Sequence, residues 1–349
     1  MRALTFHGKE ELHYETVADP GIVQPTDVIV KVDIAAICGS DLHVYRAHEQ
    51  GLDAGTVMGH EFVGEVVEVG REVKRFQKGD KVLSPFTTNC GHCYYCRIGL
   101  TCRCENGQLY GWVEQGEGLH GGQAEYVRVP IADGTLRKLN DLVTPQEGLL
   151  MGDILSTGYF CAENCKIHPE GVYVIVGCGP VGMMTIVGAI EQGAQQLYAI
   201  DAVPERLQMA EKFGATPLNY KTQNVVEIIK EATEGRGADA VMEVVGNTPA
   251  QRLAMDVIRP GGIISTVGVH TSPHFAFSPV EAYNKNLQFM IGRCPVGHYL
   301  PIVEPLVMAK KYPITDIITH EFALNEGVEA YDIFDKKKDN CMKIVLQMP

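Results

Sequence analysis

The stretch VYVIVGCGPVG, residues 172–182, decides how the middle of this chain folds. Val172 to Val176 is an unbroken apolar run, as a parallel strand buried on both faces requires. Gly177-Cys178-Gly179-Pro180-Val181-Gly182 follows at once, and the residues from about Val181 to Gln192 read as a helix. A second apolar run, Leu197 to Ile200, ends at Asp201, 19 residues beyond Gly182. Strand, GxGxxG turn, helix, strand and acidic residue together make a dinucleotide fingerprint. Gly177 permits the tight turn, Gly179 lets backbone approach a pyrophosphate, and Gly182 lets helix and sheet pack closely. Pro180 and Val181 open the helix, whose N–H groups and dipole receive phosphates. The Asp201 carboxylate suits adenine-ribose hydroxyls and repels a 2′-phosphate, which favours NAD over NADP. Arg206, five residues on, supports a phosphate instead, so cofactor class is better fixed than cofactor choice.

Beyond the fingerprint, β and α segments keep alternating. Pro204 suits the first position of a helix and Gly214 the residue just past its end. Ala240–Val245 and Ile263–Val269 read as strands, with helical segments near 224–232 and 249–258. Alternation of this kind predicts a doubly wound parallel sheet. Val245 and Val269 stand at the carboxyl ends of their strands and are assigned to the cofactor; His270 and His274 come just after. Residues 1–150 read differently. Short β-type runs separated by Gly, Pro and Asp (27–34, 62–69, 81–83, 124–129) predict a barrel or sandwich, and MRALTFHGKEELHYE at the start reads as strand. From about 294 the pattern is mixed, with a helix-like 300–311 and a strand-like 343–346, as if the chain returned to its first domain. The expected organisation is an α/β protein: a β-rich domain of residues 1–156 and 294–349, and a cofactor domain of 157–293.

The length of 349 residues fits two domains. With 45% apolar and 21% charged residues the chain has globular composition. A net charge of −13 repels phosphate backbones and anionic lipid, so neither nucleic acid nor membrane is an expected partner. No apolar run is long enough to span a bilayer and the first residues lack a signal peptide's apolar core, so a cytoplasmic location is expected. There the 11 cysteines are thiols or metal ligands rather than a disulfide framework.

Five of those cysteines fall between residues 90 and 104. Cys90, Cys93 and Cys96 form two overlapping CxxC steps that converge thiolates on one small ion. A tetrahedral zinc needs one ligand more. Cys102 and Cys104 both have the reach, and His92 competes; an iron–sulfur cluster would also use four cysteines. A closed Cys₄ shell leaves no open position and is structural.

Two further segments, Cys38-Gly-Ser-Asp-Leu-His43 and Gly59-His-Glu-Phe-Val-Gly64, pair potential ligands with bracketing glycines. With GDKV at 79–82, the cysteine lobe, DILSTGY at 153–159 and GCGPVG at 177–182, they make six ordered motifs across nearly the full length. The chain thereby resembles the zinc-dependent medium-chain alcohol dehydrogenases, which implies a GroES-like catalytic domain and a Rossmann cofactor domain. The resemblance implies two zinc ions per chain. Cys38, His60 and Asp153 would hold the catalytic one, with Glu61 the nearby carboxylate, and the family's lobe spacing selects Cys104 with Cys90, Cys93 and Cys96 for the structural one.

Asp at 153 is similar to the tetrameric microbial alcohol dehydrogenases, where liver-type members have Cys and polyol or threonine dehydrogenases usually have Glu. A homotetramer is expected on that ground. Three protein ligands keep a fourth corner open, as a catalytic zinc requires. The zinc would act as a Lewis acid on an alcohol whose hydride passes to nicotinamide, or on an aldehyde or ketone carbonyl in reverse. By the same resemblance, Ser40 takes the alcohol proton and passes it by a ribose hydroxyl to His43, and Asp41 orients His60. Ser40 and Asp41 read equally as caps of a helix starting there. Thr157 corresponds to a residue packed against nicotinamide. Trp112, the only tryptophan, reads as a substrate-pocket wall or as core. Gly39 replaces the basic residue that touches pyrophosphate in liver-type enzymes, leaving phosphate to helix N–H groups with Lys343 as a further candidate. Specialised formaldehyde, polyol or threonine-type dehydrogenases are the alternative within the family, and a zinc-free dinucleotide-binding relative is the alternative outside catalysis.

Overall fold

The computed structural model describes residues 1–349 and divides into two compact units. One comprises Met1–Asp153 with Pro295–Pro349, the other Ile154–Cys294. The chain thus leaves its first unit, completes a second, and returns.

The second unit is built on a six-stranded, all-parallel sheet. Across the sheet the strands run Thr216–Asn219, Gln196–Asp201, Val172–Val176, Ala238–Glu243, Ile258–Thr266 and Gln288–Ile291. Val172–Val176 is buried at every position, which explains why no polar residue interrupts it. Helices Pro180–Glu191, Pro204–Lys212, Val225–Glu231 and Thr248–Val257 connect the strands. Strand order reverses between Val172–Val176 and Ala238–Glu243, so a crevice opens at their carboxyl ends, the ligand position of such sheets. Pro204 is the first helical residue, and Gly214 takes φ +102° just past the helix end. The two later strands stop short of expectation, leaving Val245 and Val269 in the turns that follow. The Glu243 side chain draws the first turn tight by accepting from the N–H groups of Val245 and Gly246, both at 2.8 Å.

In the first unit, strand Val28–Ile37 is the organiser. It runs three residues past its expected end. It pairs antiparallel with Phe62–Val69 along its length, with Tyr126–Val129 at its start and with Lys343–Gln347 at its end. Lys81–Leu83 and Arg137–Lys138 extend the sheet on one side and Ile318–Ala323 on the other. The opening residues form two strands, not one: Arg2–Gly8 turns back as Glu11–Thr16, and Thr56–Val57 completes a three-stranded sheet. Leu4, Phe6 and Leu12 bury one face of that hairpin against Leu42, Met58, Tyr331 and Leu346. The late helix also starts earlier than its pattern suggests and spans Val296–Met308, with Pro301 and Pro305 inside it.

Candidate functional site

Strand register assembles a buried cluster at one end of the first unit's sheet. Val28–Ile37 runs directly into Cys38. Its antiparallel neighbour begins directly after His60 and Glu61, with Ala35 opposite Phe62. On the other side Ile37 lies opposite Ile344, which sets Lys343 at the same sheet end. Asp153 arrives from a π-helical turn, Met151–Leu155. Gly152 lets that turn come close, because a Cβ there would lie 2.7 Å from the Ser84 carbonyl oxygen. Cys38, His60, Glu61 and Asp153 thereby offer ligand atoms all within 4.8 Å of one another, and all four are buried.

Each member is held from behind. Asp41 Oδ1 lies 3.1 Å from His60 Nδ1, and its other oxygen accepts the Cys38 N–H at 2.9 Å. A carboxylate on Nδ1 keeps a proton there and turns Nε2 towards the cluster, 3.4 Å from Asp153 Oδ2. Gln123 donates to the Ala36 carbonyl at 3.0 Å and to Asp41 at 3.4 Å, and the buried Tyr331 hydroxyl donates to Gln123 Oε1 at 2.9 Å. Lys343 Nζ is buried and donates to both Glu61 oxygens, at 2.8 and 2.5 Å, and to the Ile37 carbonyl at 3.1 Å. This corrects the expectation for Lys343: its charge is committed to Glu61, and it has no exposure from which to reach a phosphate.

The electrostatics are those of a cation site. Burial and the charges of Asp153 and Glu61 push the Cys38 thiol up. Burial also raises Glu61, to about 7, against the pull of Lys343. For Asp153 burial acts upward too, but hydrogen bonding and charge from His60 prevail and hold it below the usual carboxylate range. Burial works against protonated His60, yet Asp41 and Asp153 carry its pKa well above the ordinary value. Four acidic groups (Cys38, Asp41, Glu61, Asp153) surround one imidazole and one fixed cation. A dication would supply the missing positive charge, and thiolate, imidazole and carboxylate donors suit zinc.

Ser40 sits at the start of the short helix Asp41–Tyr45 but makes no capping bond with its side chain. Its hydroxyl lies 3.4 Å from His60 Nε2, so the capping alternative does not hold for Ser40. His43 is half-buried in the same helix. Trp112 is half-buried on the core cluster that includes Leu42 and Met58, with Nε1 donating to Glu114 at 3.4 Å.

In the cysteine lobe, Cys90, Cys93, Cys96 and Cys104 bring four sulfurs within 4.8 Å of one another; Cys102 and His92 stand outside this group. Cys93 and Cys104 Sγ are 3.9 Å apart, close to the edge of roughly 3.8 Å that four 2.3 Å Zn–S bonds define. No disulfide forms. Backbone N–H groups of Cys90 and Cys93 donate to the sulfurs of Cys104 and Cys90. Backbone hydrogen bonding at Cys96 and Glu105 draws the Cys93 thiol down to about 6, whereas burial lifts Cys96 to about 12. A closed thiolate shell for zinc fits this donor set.

The second unit carries a separate cradle. Gly177 takes φ +102°, and a Cβ on Gly182 would fall 2.0 Å from the Gly177 carbonyl oxygen. Over Gly179 the space is open: the one atom near a Cβ there is Arg206 Nη1, at 3.8 Å. Helix Pro180–Glu191 starts there with no side chain capping its N–H groups. Val245 abuts Gly177, and Val269 abuts Gly246 in the neighbouring turn. Asp201 ends its strand as expected, but its carboxylate accepts from three backbone N–H groups, those of Cys178, Ala202 and Val203, at 2.7–3.0 Å. Thr157 is buried in the first turn of helix Ser156–Glu163. The open turn and uncapped helix start fit a dinucleotide diphosphate.

Sequence reasoning missed Gln123 and Tyr331, and it gave Lys343 a phosphate in place of Glu61. A lysine opening an otherwise apolar strand, KIVLQ, was a readable sign of a buried ion pair; Gln123 and Tyr331 gave none.

Comparison with known proteins agrees with this geometry. The family description "Alcohol dehydrogenase GroES-like domain" matches residues 24–141, and "Zinc-binding dehydrogenase" matches residues 180–294. The chain is 42% identical over 346 residues to zinc-type alcohol dehydrogenase B of Aspergillus flavus, covering 97% of this chain and 79% of that one. It is 33% identical to an L-threonine 3-dehydrogenase of Caldanaerobacter subterraneus, covering 93% and 92%. The solved alcohol dehydrogenase from Thermus sp. ATN1 superposes with a TM-score of 0.93 at 38% identity, covering both chains fully. With its ordered motifs, its GroES-like and Rossmann halves and these relatives, the chain belongs to the zinc-dependent medium-chain alcohol dehydrogenases and is an alcohol oxidoreductase.

Proposed function

We propose that the chain is an NAD-preferring alcohol dehydrogenase in which Cys38, His60 and Asp153 hold a catalytic zinc. The observation that carries this reading is the buried convergence of one thiol, one imidazole and one carboxylate with Asp41 behind the imidazole. Zinc there supplies Lewis acidity that eases loss of the alcohol proton and polarises the carbonyl in the reverse direction. The chain's residues do the rest. Asp41 fixes the His60 tautomer, and Gln123 and Tyr331 fix Asp41. Lys343 donates to both Glu61 oxygens and offsets part of the effect of burial on that carboxyl. Ser40 receives the proton at Oγ, and His43 hands it towards solvent. Cys90, Cys93, Cys96 and Cys104 hold a second, structural zinc.

The Gly177–Gly182 turn takes the NAD diphosphate and Thr157, Val245 and Val269 line the nicotinamide. Asp201 meets the adenine ribose on the one lone pair that its three backbone contacts leave free, on Oδ2. Arg206 moderates the preference against NADP from its place beside Gly179. Substituting Asp201 by asparagine retains an acceptor for Ala202 and Val203 and removes the anion. The ratio of kcat/KM for NAD over NADP is then expected to fall about tenfold, the equivalent of 1.4 kcal/mol. An unchanged ratio rules out the ribose assignment.

Substrates are primary or secondary alcohols and the matching aldehydes or ketones. The similarity to an L-threonine 3-dehydrogenase supports a specialised amino-alcohol or polyol substrate as a second reading. Asp rather than Glu at 153 weighs for the simple alcohols. A homotetramer is the proposed assembly. Gln288–Ile291 is an edge strand whose free side can pair with a second copy, and Met290 and Ile291 on it are exposed. No helix is long and apolar enough to cross a membrane, and thiolate zinc ligands suit the reducing cytoplasm.

The deciding experiment joins metal analysis to a substrate panel. About two zinc per chain, with NAD-dependent oxidation of short alcohols above threonine and polyols by kcat/KM, is the expected outcome. A metal content near zero would leave only a dinucleotide-binding relative.

A further inference from the structure

The first hairpin carries chemistry that neither zinc site uses. Side chains alternate along each of its strands. Leu4, Phe6 and Leu12 point into the core, and the other face gathers Thr5 and His7 from Arg2–Gly8 with Glu11, His13 and Glu15 from Glu11–Thr16. The ladder sets Thr5 opposite His13, and a bulge between Phe6 and Gly8 brings His7 in beside it. The His7 and His13 rings stack with centroids 4.0 Å apart at 20°. His7 Nε2 is 2.7 Å from Glu15 Oε1, and His13 Nε2 is 3.1 Å from Glu11 Oε1.

We propose that His7, His13 and Glu15 bind a divalent transition-metal ion of the zinc, nickel or copper type, at a third site that shares no residue with the other two. The ligand atoms of these three side chains all lie within 4.8 Å of one another. Two imidazoles and a carboxylate are the donors that such ions favour. The Thr5 hydroxyl donates to Glu15 and lies 3.1 Å from His7 Nε2, which holds both ligands in place from behind. Hydrogen bonds from Thr5 and then His7 keep the Glu15 carboxyl below its ordinary range, so it is an anion at neutral pH. His13 is 46% exposed, which leaves an entry path and room for water to complete the shell. The scaffold is rigid, since the same two strands bury Leu4, Phe6 and Leu12. Binding ties the two strands together and stabilises the hairpin by mass action. The competing arrangement is plain hydrogen-bonded pairs of stacked imidazoles and carboxylates. That arrangement would take up no ion, and the test separates the two.

The test uses the zinc-loaded enzyme and Ni²⁺ as probe, with calorimetry for stoichiometry and elemental analysis to show that resident zinc stays bound. One Ni²⁺ per chain is expected above the resident zinc. His13→Gln and Glu15→Gln, both at solvent-facing positions, should each weaken it at least about tenfold. His7→Gln/His13→Gln should abolish it, and the exposed-histidine control His274→Gln should not change it. Alcohol oxidation without nickel should be the same in all of them, which keeps this test independent of the zinc mechanism. The proposal is overturned if the wild type takes up no extra nickel, if nickel enters only by displacing zinc, or if the double variant binds it undiminished.

Discussion

Replacing Asp153 by asparagine is expected to lower kcat/KM for alcohol oxidation by about 10³-fold or more, a loss of roughly 4 kcal/mol of transition-state stabilisation. The amide keeps the shape but withdraws the anion that faces Cys38 at 3.5 Å and His60 at 3.4 Å. Two consequences follow for the cluster. On the proposed ligand set the metal would lose its third donor, and His60 loses one of the two carboxylates that hold it. Elemental analysis should then find one zinc per chain instead of two, because the cysteine lobe draws on none of these residues. Activity within tenfold of the parent, with both zincs retained, would remove Asp153 from the ligand set.

The second large effect concerns Lys343. Its ammonium and the Glu61 carboxylate are 1% and 0% exposed, so each depends on the other for charge balance. Lys343→Met leaves Glu61 buried and unpaired, which costs about 3–5 kcal/mol in systems of this kind. The loss should be read by denaturant unfolding on the fluorescence of Trp112, the only tryptophan, which reports on the first unit. Adding Glu61→Gln to Lys343→Met should restore a large part of it, since a neutral amide needs no counter-charge. The pH dependence of the metal-free protein follows from the raised pKa of Glu61. Between the unfolded value near 4.5 and the folded value of about 7, the native state holds the extra proton. Stability from this group is therefore full below about 4.5 and falls as pH rises through about 7. Glu61→Gln should remove that slope. A single Lys343→Met variant as stable as the parent would show that the pair contributes nothing.

The four central strands of the Rossmann half and the helices between them were legible, because their signals are local, whereas the short edge strands Thr216–Asn219 and Gln288–Ile291 were not. An uninterrupted apolar run, a glycine spacing and a proline at a helix start each act within a few residues of themselves. Phe62–Val69, Lys81–Leu83 and Val172–Val176 fall where their patterns place them. The β-rich half was legible as strands but not as a sheet, since pairings such as Ile37 with Ile344 carry no mark in either segment. The same limit governed the cluster. CGSDLH and GHEF announce themselves as motifs, but the Gln123–Tyr331 support spans 208 residues and rests on contacts that only the fold creates. Even where a side chain was singled out, its use could differ. Lys343 looked like a cation for a ligand, and its burial turned it into a cation for Glu61.

That pairing has a consequence during biosynthesis. Lys343 follows Glu61 by 282 residues, and its strand closes the sheet beside Ile37. At translation rates of about 5–20 residues per second, the wait is on the order of tens of seconds. Throughout it, the nascent Glu61 lacks its ion-pair partner, and the whole of Ile154–Cys294 is synthesised in the same interval. The sheet end that carries Cys38 and His60 is therefore completed only after all of Ile154–Cys294 has been translated.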